Sequence, residues 1–303
     1  MMNHRVENNY YQPETIGVSL LSLLALIFLG TLIASLIVQV LGQFLALDYT
    51  ETINSLSENT SITQKNFVRI ALCIGQAFTF LLPAFLFLKI TNGKNWLRFL
   101  KMDKLSHLNF LLLASLLLII SFPLVQFIFS INKQIPFPTW IISQEDTINN
   151  TIKHLLHVQY PYELLFNIFA IAILPAVGEE WIFRGIIQQY LQKVLNNPHL
   201  VIWITALIFS FVHFQFQGFL PRTLLGVSLG YIFWWTQNLW PCIIAHFCFN
   251  ALQVLLQFLN QKNIFSINLN NIEQVPVSWA FVSLIGMSII SFALWKIKKY
   301  RGI

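Results

Sequence analysis

The chain has 303 residues, 56% apolar and only 10% charged, with a mean hydropathy of +0.65. Soluble chains carry about a quarter charged residues, so the composition excludes a soluble fold and points to an integral membrane protein. The net charge of +6 comes largely from basic residues beside apolar runs, a pattern of loops facing anionic lipid rather than of a nucleic-acid surface.

Residues 1–15 are polar, and an uncharged run from Ile16 to Leu47 follows. That run far exceeds the ~7–15-residue apolar core of a cleavable signal peptide, so it reads as a first membrane helix that is retained. Crossing a bilayer takes about 20 residues. Eight runs qualify: Ile16–Leu47, Phe67–Ile90, Leu108–Ile131, Leu164–Tyr190, Leu200–Phe219, Thr223–Leu239, Pro241–Leu259 and Val277–Trp295. The fifth is the weakest, because Gln215, Gln217 and Gly218 interrupt its end. Pro221 and Pro241 stand in the first turns of the helices they open, where a missing N–H costs nothing. The fold class is therefore all-α: a polytopic membrane protein of about eight helices enclosing an intramembrane polar cavity. It divides into 1–160 (three helices and a loop), 161–260 (the core that carries the chemistry) and 261–303 (a last helix and basic tail).

Loop charges set the orientation. The loop from Lys89 to His107 holds Lys89, Lys94, Arg98, Lys101 and Lys104, and the tail holds Lys296, Lys298, Lys299 and Arg301, so both are expected in the cytoplasm. The loop after the first helix (Asp48, Glu51, Glu58) is acidic and is expected outside. Eight spans with both termini cytoplasmic satisfy all three, and 132–163 is then a second outer loop. That loop contains His154 and His157 at helical spacing, which without a third ligand reads as one face of a surface helix. Cys73, Cys242 and Cys248 lie in apolar runs and read as buried thiols rather than as a disulfide or metal site.

Charges inside the apolar spans carry the functional signal. Each costs ~2.5–3.5 kcal/mol at the centre of a membrane helix. Span four holds Glu179, Glu180 and Arg184 in "GEEWIFRG", span five holds His213 in "FSFVHF", and span seven holds His246 and Asn250 in "AHFCFN". Lipid solvates none of these, so they must face one another or water. Glu180 and Arg184 are four residues apart, with the acid first, and pair along one helix face. Glu179 is turned about 100° away and has no partner in its own helix. Pro175, one turn earlier, is expected to kink the helix and free backbone groups. Helix-gluing polar residues account for a lone His or Asn, but not for two adjacent glutamates with one arginine. An unpaired carboxylate near a histidine can activate water, and a second His with an Asn on one face can stabilise an oxyanion. No G-x-S-x-G or H-E-x-x-H is present, while a zinc held by Glu179, His213 and His246 is chemically possible.

"EEWIFRG" resembles the E-E-x-x-x-R motif of the CAAX prenyl protease and bacteriocin-processing (CPBP, or Abi) family of intramembrane proteases. "FSFVH" resembles its F-x-x-x-H motif and "HFCFN" its H-x-x-x-N/D motif, in the same order, within roughly Glu163–Leu259. The resemblance implies an intramembrane endopeptidase acting on a membrane-associated or lipid-modified peptide or protein. Glu179 would be the catalytic carboxylate that activates water with His213, Glu180 and Arg184 the supporting ion pair, and His246 and Asn250 the oxyanion donors. Phe183 and Phe209 would shape the pocket. The family is often labelled metalloprotease; we expect no required cofactor here, with zinc as the alternative. Short loops suit a multi-pass protein of a bacterial inner membrane, whose partners are its substrate and the bilayer. The rival readings are a non-catalytic scaffold or bacteriocin self-immunity protein of the same fold, and a transporter, for which neither repeated halves nor broken helices at corresponding positions are visible.

Overall fold

The computed structural model describes residues 13–264 and 275–301, and among them there are helices and connecting turns but no strand. The polar N-terminal stretch read from the sequence therefore lies largely outside the described residues. The helices are α1 (Pro13–Leu45), α2 (Tyr49–Asn54), α3 (Ile62–Gln76), α4 (Leu82–Asn92), α5 (Trp96–Phe99), α6 (Leu108–Asn132) and α7 (Thr139–Leu156). There follow α8 (Pro161–Asn167), α9 (Leu174–Glu180), α10 (Gln189–Val194), α11 (Pro198–Phe211), α12 (Phe219–Thr236), α13 (Trp240–Gln261) and α14 (Val277–Arg301). A π-helical segment (Ala77–Leu81) joins α3 to α4, and two more (Ile168–Ile173 and Trp181–Gln188) join α8, α9 and α10 into one rod. Local chemistry sets many of the ends. Asp48 and Ser61 cap α2 and α3 through their side chains, and Asn197 accepts from the N–H groups of His199 and Leu200 ahead of Pro198.

Each of the eight expected spans contains a rod. Six are long and apolar enough to cross a bilayer: Ile16–Leu45, Ile62–Phe99, Leu108–Asn132, Pro161–Val194, Trp240–Gln261 and Val277–Tyr300. The other two are shorter. α11 has 14 residues and α12 has 18, about 21 and 27 Å at helical rise. The fifth span ends early because Phe214 takes a left-handed backbone (φ 51°), which stops the helix eight residues before α12 begins its course back. His213 consequently lies in a turn and not on a membrane helix. α12 begins at Phe219, four residues before the expected Thr223, which brings Arg222 into its first turn.

Leu21, Phe28, Leu36, Val282 and Phe292 on α1 and α14 are well exposed, as expected of lipid-facing surfaces. The core forms around α6, which packs on α12, α13 and α14. α11 and α12 approach closely at Gly226 and Gly230, where a Cβ would stand 2.9 Å from Ala206 Cβ and 2.8 Å from Ile202 Cγ2. The loops segregate to two ends. At the lysine-rich end, Asn238 Nδ2 donates to the Lys104 carbonyl (2.9 Å), and Lys298 lies over Trp234 (4.0 Å). At the other end, Gln261 exchanges hydrogen bonds with the Val158 backbone (2.9 and 2.7 Å), and Asn132 bridges the Phe216 carbonyl and Leu220 N–H, both at 2.8 Å.

All three cysteines are free, and Cys242 is buried. His154 sits in the last turn of α7 and His157 caps it, both half-buried.

Candidate active site

The rod from Pro161 to Val194 supplies the acids. Glu179 and Glu180 close α9, and Arg184 follows one turn later in the π-helical segment. π-helical turns cluster where side chains must be re-aimed at functional sites, and this one carries Arg184 and Gln188 onto α12. Their side chains donate to the carbonyls of Gly226 (2.9 Å) and Gly230 (3.1 Å), the same glycines that let α11 approach from the other side. Ahead of α9, Pro175 has no N–H for the carbonyl four residues back, that of Ile171. Asn250 Nδ2 stands 3.5 Å from that oxygen. The freed carbonyl expected from Pro175 is thus met by a residue of the site.

Glu180 is fully buried, and its Oε1 accepts from Arg184 Nη1 at 2.7 Å, as the four-residue spacing requires. The same oxygen accepts from His246 Nδ1 at 2.9 Å, a tie across helices that spacing does not reveal. His213 Nδ1 donates to the Phe209 carbonyl at 2.7 Å. Both imidazoles therefore carry a proton on Nδ1 and turn Nε2 toward Glu179. His213 Nε2 is 4.0 Å from Glu179 Oε1, and His246 Nε2 is 3.9 Å from Glu179 Oε2. These separations exceed a direct hydrogen bond and are of the length at which a water bridges two acceptors. Phe209 sits among them, with Phe183 edge-on at 5.0 Å and the Arg184 guanidinium 4.8 Å from its ring centre.

Glu179, Phe209, His213, His246 and Asn250 border a cavity of about 500 Å³ that also reaches Gln126, Gln253, Arg222 and the α7 residues Ile152 and Leu156. Its walls come from the half of the bundle that holds α7, away from the lysine-rich loops. On the lysine-rich side, Leu100, Ile186, Leu239 and Cys242 pack in the buried core.

Glu179, His213 and His246 are the donor types a zinc ion takes, and both imidazoles have Nδ1 tied as metal-binding histidines usually do. The spacing does not fit. Two ligand atoms of a tetrahedral zinc lie ~3.4 Å apart for bonds of ~2.1 Å, and no group of three His, Cys, Asp or Glu among the described residues is arranged to hold a metal.

Two charged partners escaped the sequence reading. Arg222 lines the cavity, hidden by a helix start placed one residue after it. Arg69 is fully buried inside the second span and pairs with Glu163 at 2.7 Å. A lone arginine in an apolar run was the available signal for each.

The fold and site define an integral membrane helical bundle with a buried carboxylate flanked by two imidazoles. Residues 161–252 match the family described as type II CAAX prenyl endopeptidase Rce1-like. The resemblance read from the three motifs holds over that segment, and the family it matches is one of proteases. A stretch of 89 residues is 32% identical to the uncharacterized protein YpbD of Bacillus subtilis (strain 168), covering 28% of this chain and 42% of that protein. No solved structure matches.

Proposed function

We propose that this protein is an intramembrane endopeptidase of a bacterial inner membrane that hydrolyses a peptide bond with water activated by Glu179 and His213. The observation that carries the reading is the buried Glu179 carboxylate facing two Nε2 atoms at 3.9 and 4.0 Å on the wall of a cavity. A water between Glu179 Oε1 and His213 Nε2 gives one proton to Glu179 while its oxygen attacks the peptide carbon. Glu179 then returns that proton to the leaving nitrogen as the C–N bond breaks, so the products are an acid and an amine. Asn250 Nδ2 has a second hydrogen for the oxyanion, and His246 Nε2 adds another donor once its ring carries a second proton. Glu180, held by Arg184, fixes the His246 tautomer and orientation. No step is routed through a metal.

The substrate is a membrane-associated or lipid-modified peptide or protein. With both termini cytoplasmic, the cavity lies in the outer half of the bundle. Cysteines introduced at Ser57 and Ser143, both exposed, are expected to label from the outer face; labelling only from the cytoplasm reverses the orientation. Comparative proteomics of membranes holding wild type or Glu179→Gln tests the activity. A peptide shortened only by wild type supports hydrolysis, whereas identical peptide profiles with a phenotype intact in the variant point to a non-catalytic scaffold.

A further inference from the structure

We propose that Arg222 anchors a carboxylate of the substrate chain inside the catalytic cavity, an inference that rests on the protease reading above. Arg222 stands in the first turn of α12 and lines the same cavity as Glu179, His213, His246 and Asn250. Its guanidinium meets only neutral acceptors: Nη1 donates to the Gln215 carbonyl (3.2 Å) and Nη2 to Gln215 Oε1 (2.6 Å). Among the described residues no carboxylate lies within ion-pair distance of it. The two fully buried arginines, Arg69 and Arg184, each have a carboxylate at 2.7 Å, whereas the half-buried Arg222 has none. A cation kept in a membrane-embedded cavity without its counter-ion is a binding group by default, and a guanidinium fork suits a carboxylate.

The surroundings hold that fork in place. Gly218 lies directly beneath it, and a Cβ there would come within 2.7 Å of Nη2. Glu145 of α7 is buried, and its carboxylate accepts from the N–H groups of Phe216 and Gln217 (3.1 Å to Gln217 from Oε2). That spends Glu145 on the turn carrying Gln215 and Gly218 rather than on Arg222. The charges within electrostatic reach of Arg222 are those of Glu145 and Glu179. Glu179 is the reacting group, so an anion at Arg222 sits in the chamber where the bond is cut. The carboxylate comes from either a free C-terminus or an acidic side chain of the substrate.

The test uses full-length protein in nanodiscs and pools of apolar peptides in three forms: free C-terminal acid, C-terminal amide, and amide with one Asp or Glu at varied positions. Binding is read by peptide retention on Glu179→Gln, which holds without cutting. Retention of one acidic form is expected to exceed that of the plain amide by on the order of tenfold to a hundredfold, the range for a hydrogen bond to a charged group. Adding Arg222→Gln is expected to erase that ratio, and Arg222→Lys to keep part of it. The ratio is taken within one protein, so a general loss of folded material does not imitate the result. An equal ratio with and without Arg222, or Arg222-dependent retention of anionic lipid in place of peptide, overturns the anchor. So does a drop in wild-type cleavage of all three pools alike on Arg222→Gln, which makes Arg222 a charge partner of Glu179. If wild type cleaves the pools without an acid preference, the anchor falls and the protease reading stands. If the acid preference is present on binding and nothing is cleaved, the protease reading falls and the anchor stands.

Discussion

Two Glu–Arg pairs among the described residues are fully buried at the same 2.7 Å separation, and they do opposite things. Arg69–Glu163 is saturated. The Arg69 guanidinium also donates to Asn167 Oδ1, Asn66 Oδ1 and the Leu155 carbonyl, and Glu163 Oε1 accepts from the N–H groups of Gln159 and Tyr160. The result ties α3, the end of α7 and the start of α8 into one joint at the end where the α7 loop lies. Glu180–Arg184 is left open, with Glu180 Oε2 and Arg184 Nε finding no partner among the described residues. Its remaining valence goes to His246, and through His246 toward Glu179. Burial makes either pair costly to break. What distinguishes a joint from a working site is where the remaining hydrogen bonds point.

The largest expected effect lies at the carboxylate that neither pair includes. Glu179→Gln keeps size and hydrogen bonding and removes the base, so turnover should fall by about 10²–10⁴ with folded yield unchanged. Single-turnover cleavage of a substrate peptide, read beside the melting temperature, checks this. Turnover retained in Glu179→Gln would put the base elsewhere.

At the saturated joint the order of effects reverses. Glu163→Gln leaves Arg69 buried without its counter-charge, which should cost about 3–5 kcal/mol. It should appear as lower folded yield and melting temperature, with the surviving protein retaining its turnover number. A fall in turnover without a fall in stability would make this pair part of the site.

Glu180→Gln should combine the two behaviours, losing yield through Arg184 and turnover through His246. Double-mutant cycles separate the links. Glu180 with Arg184 and Glu180 with His246 should both show coupling of roughly 0.5–3 kcal/mol, and Glu179 with Arg184 much less. Equal coupling in all three cycles would erase the division of labour between the adjacent acids.

The smallest expected effect is that of metal removal. A strong chelator should leave turnover within about twofold, because Glu179 with His213 supplies the base, and Asn250 with a protonated His246 the donors, by themselves. One zinc per chain, with activity lost on its removal and restored on its return, would replace the base mechanism.

The sequence by itself determined everything that depends on neighbours along one helix. Apolar run length marked out the rods, six of which are long and apolar enough to cross a bilayer, and the four-residue step from Glu180 to Arg184 specified their ion pair, because residues one turn apart meet whatever surrounds the helix. It also isolated Glu179, since no cation shares its face. The convergence of Glu179, His213 and His246 was legible as a demand that buried polar groups meet, but its geometry was not.

Only the tertiary structure decided the rest. A left-handed Phe214 moved His213 off its helix into a turn, and an earlier start to α12 turned Arg222 into the cavity. Two glycines let α11 and α12 close up against the Arg184 side chain. Arg69 and Glu163, 94 residues apart, met only through packing. Spacing constrains residues on one helix, whereas contacts between rods depend on tilt, turn conformation and side-chain size summed over the whole bundle. That is also why the cavity formed beside α7.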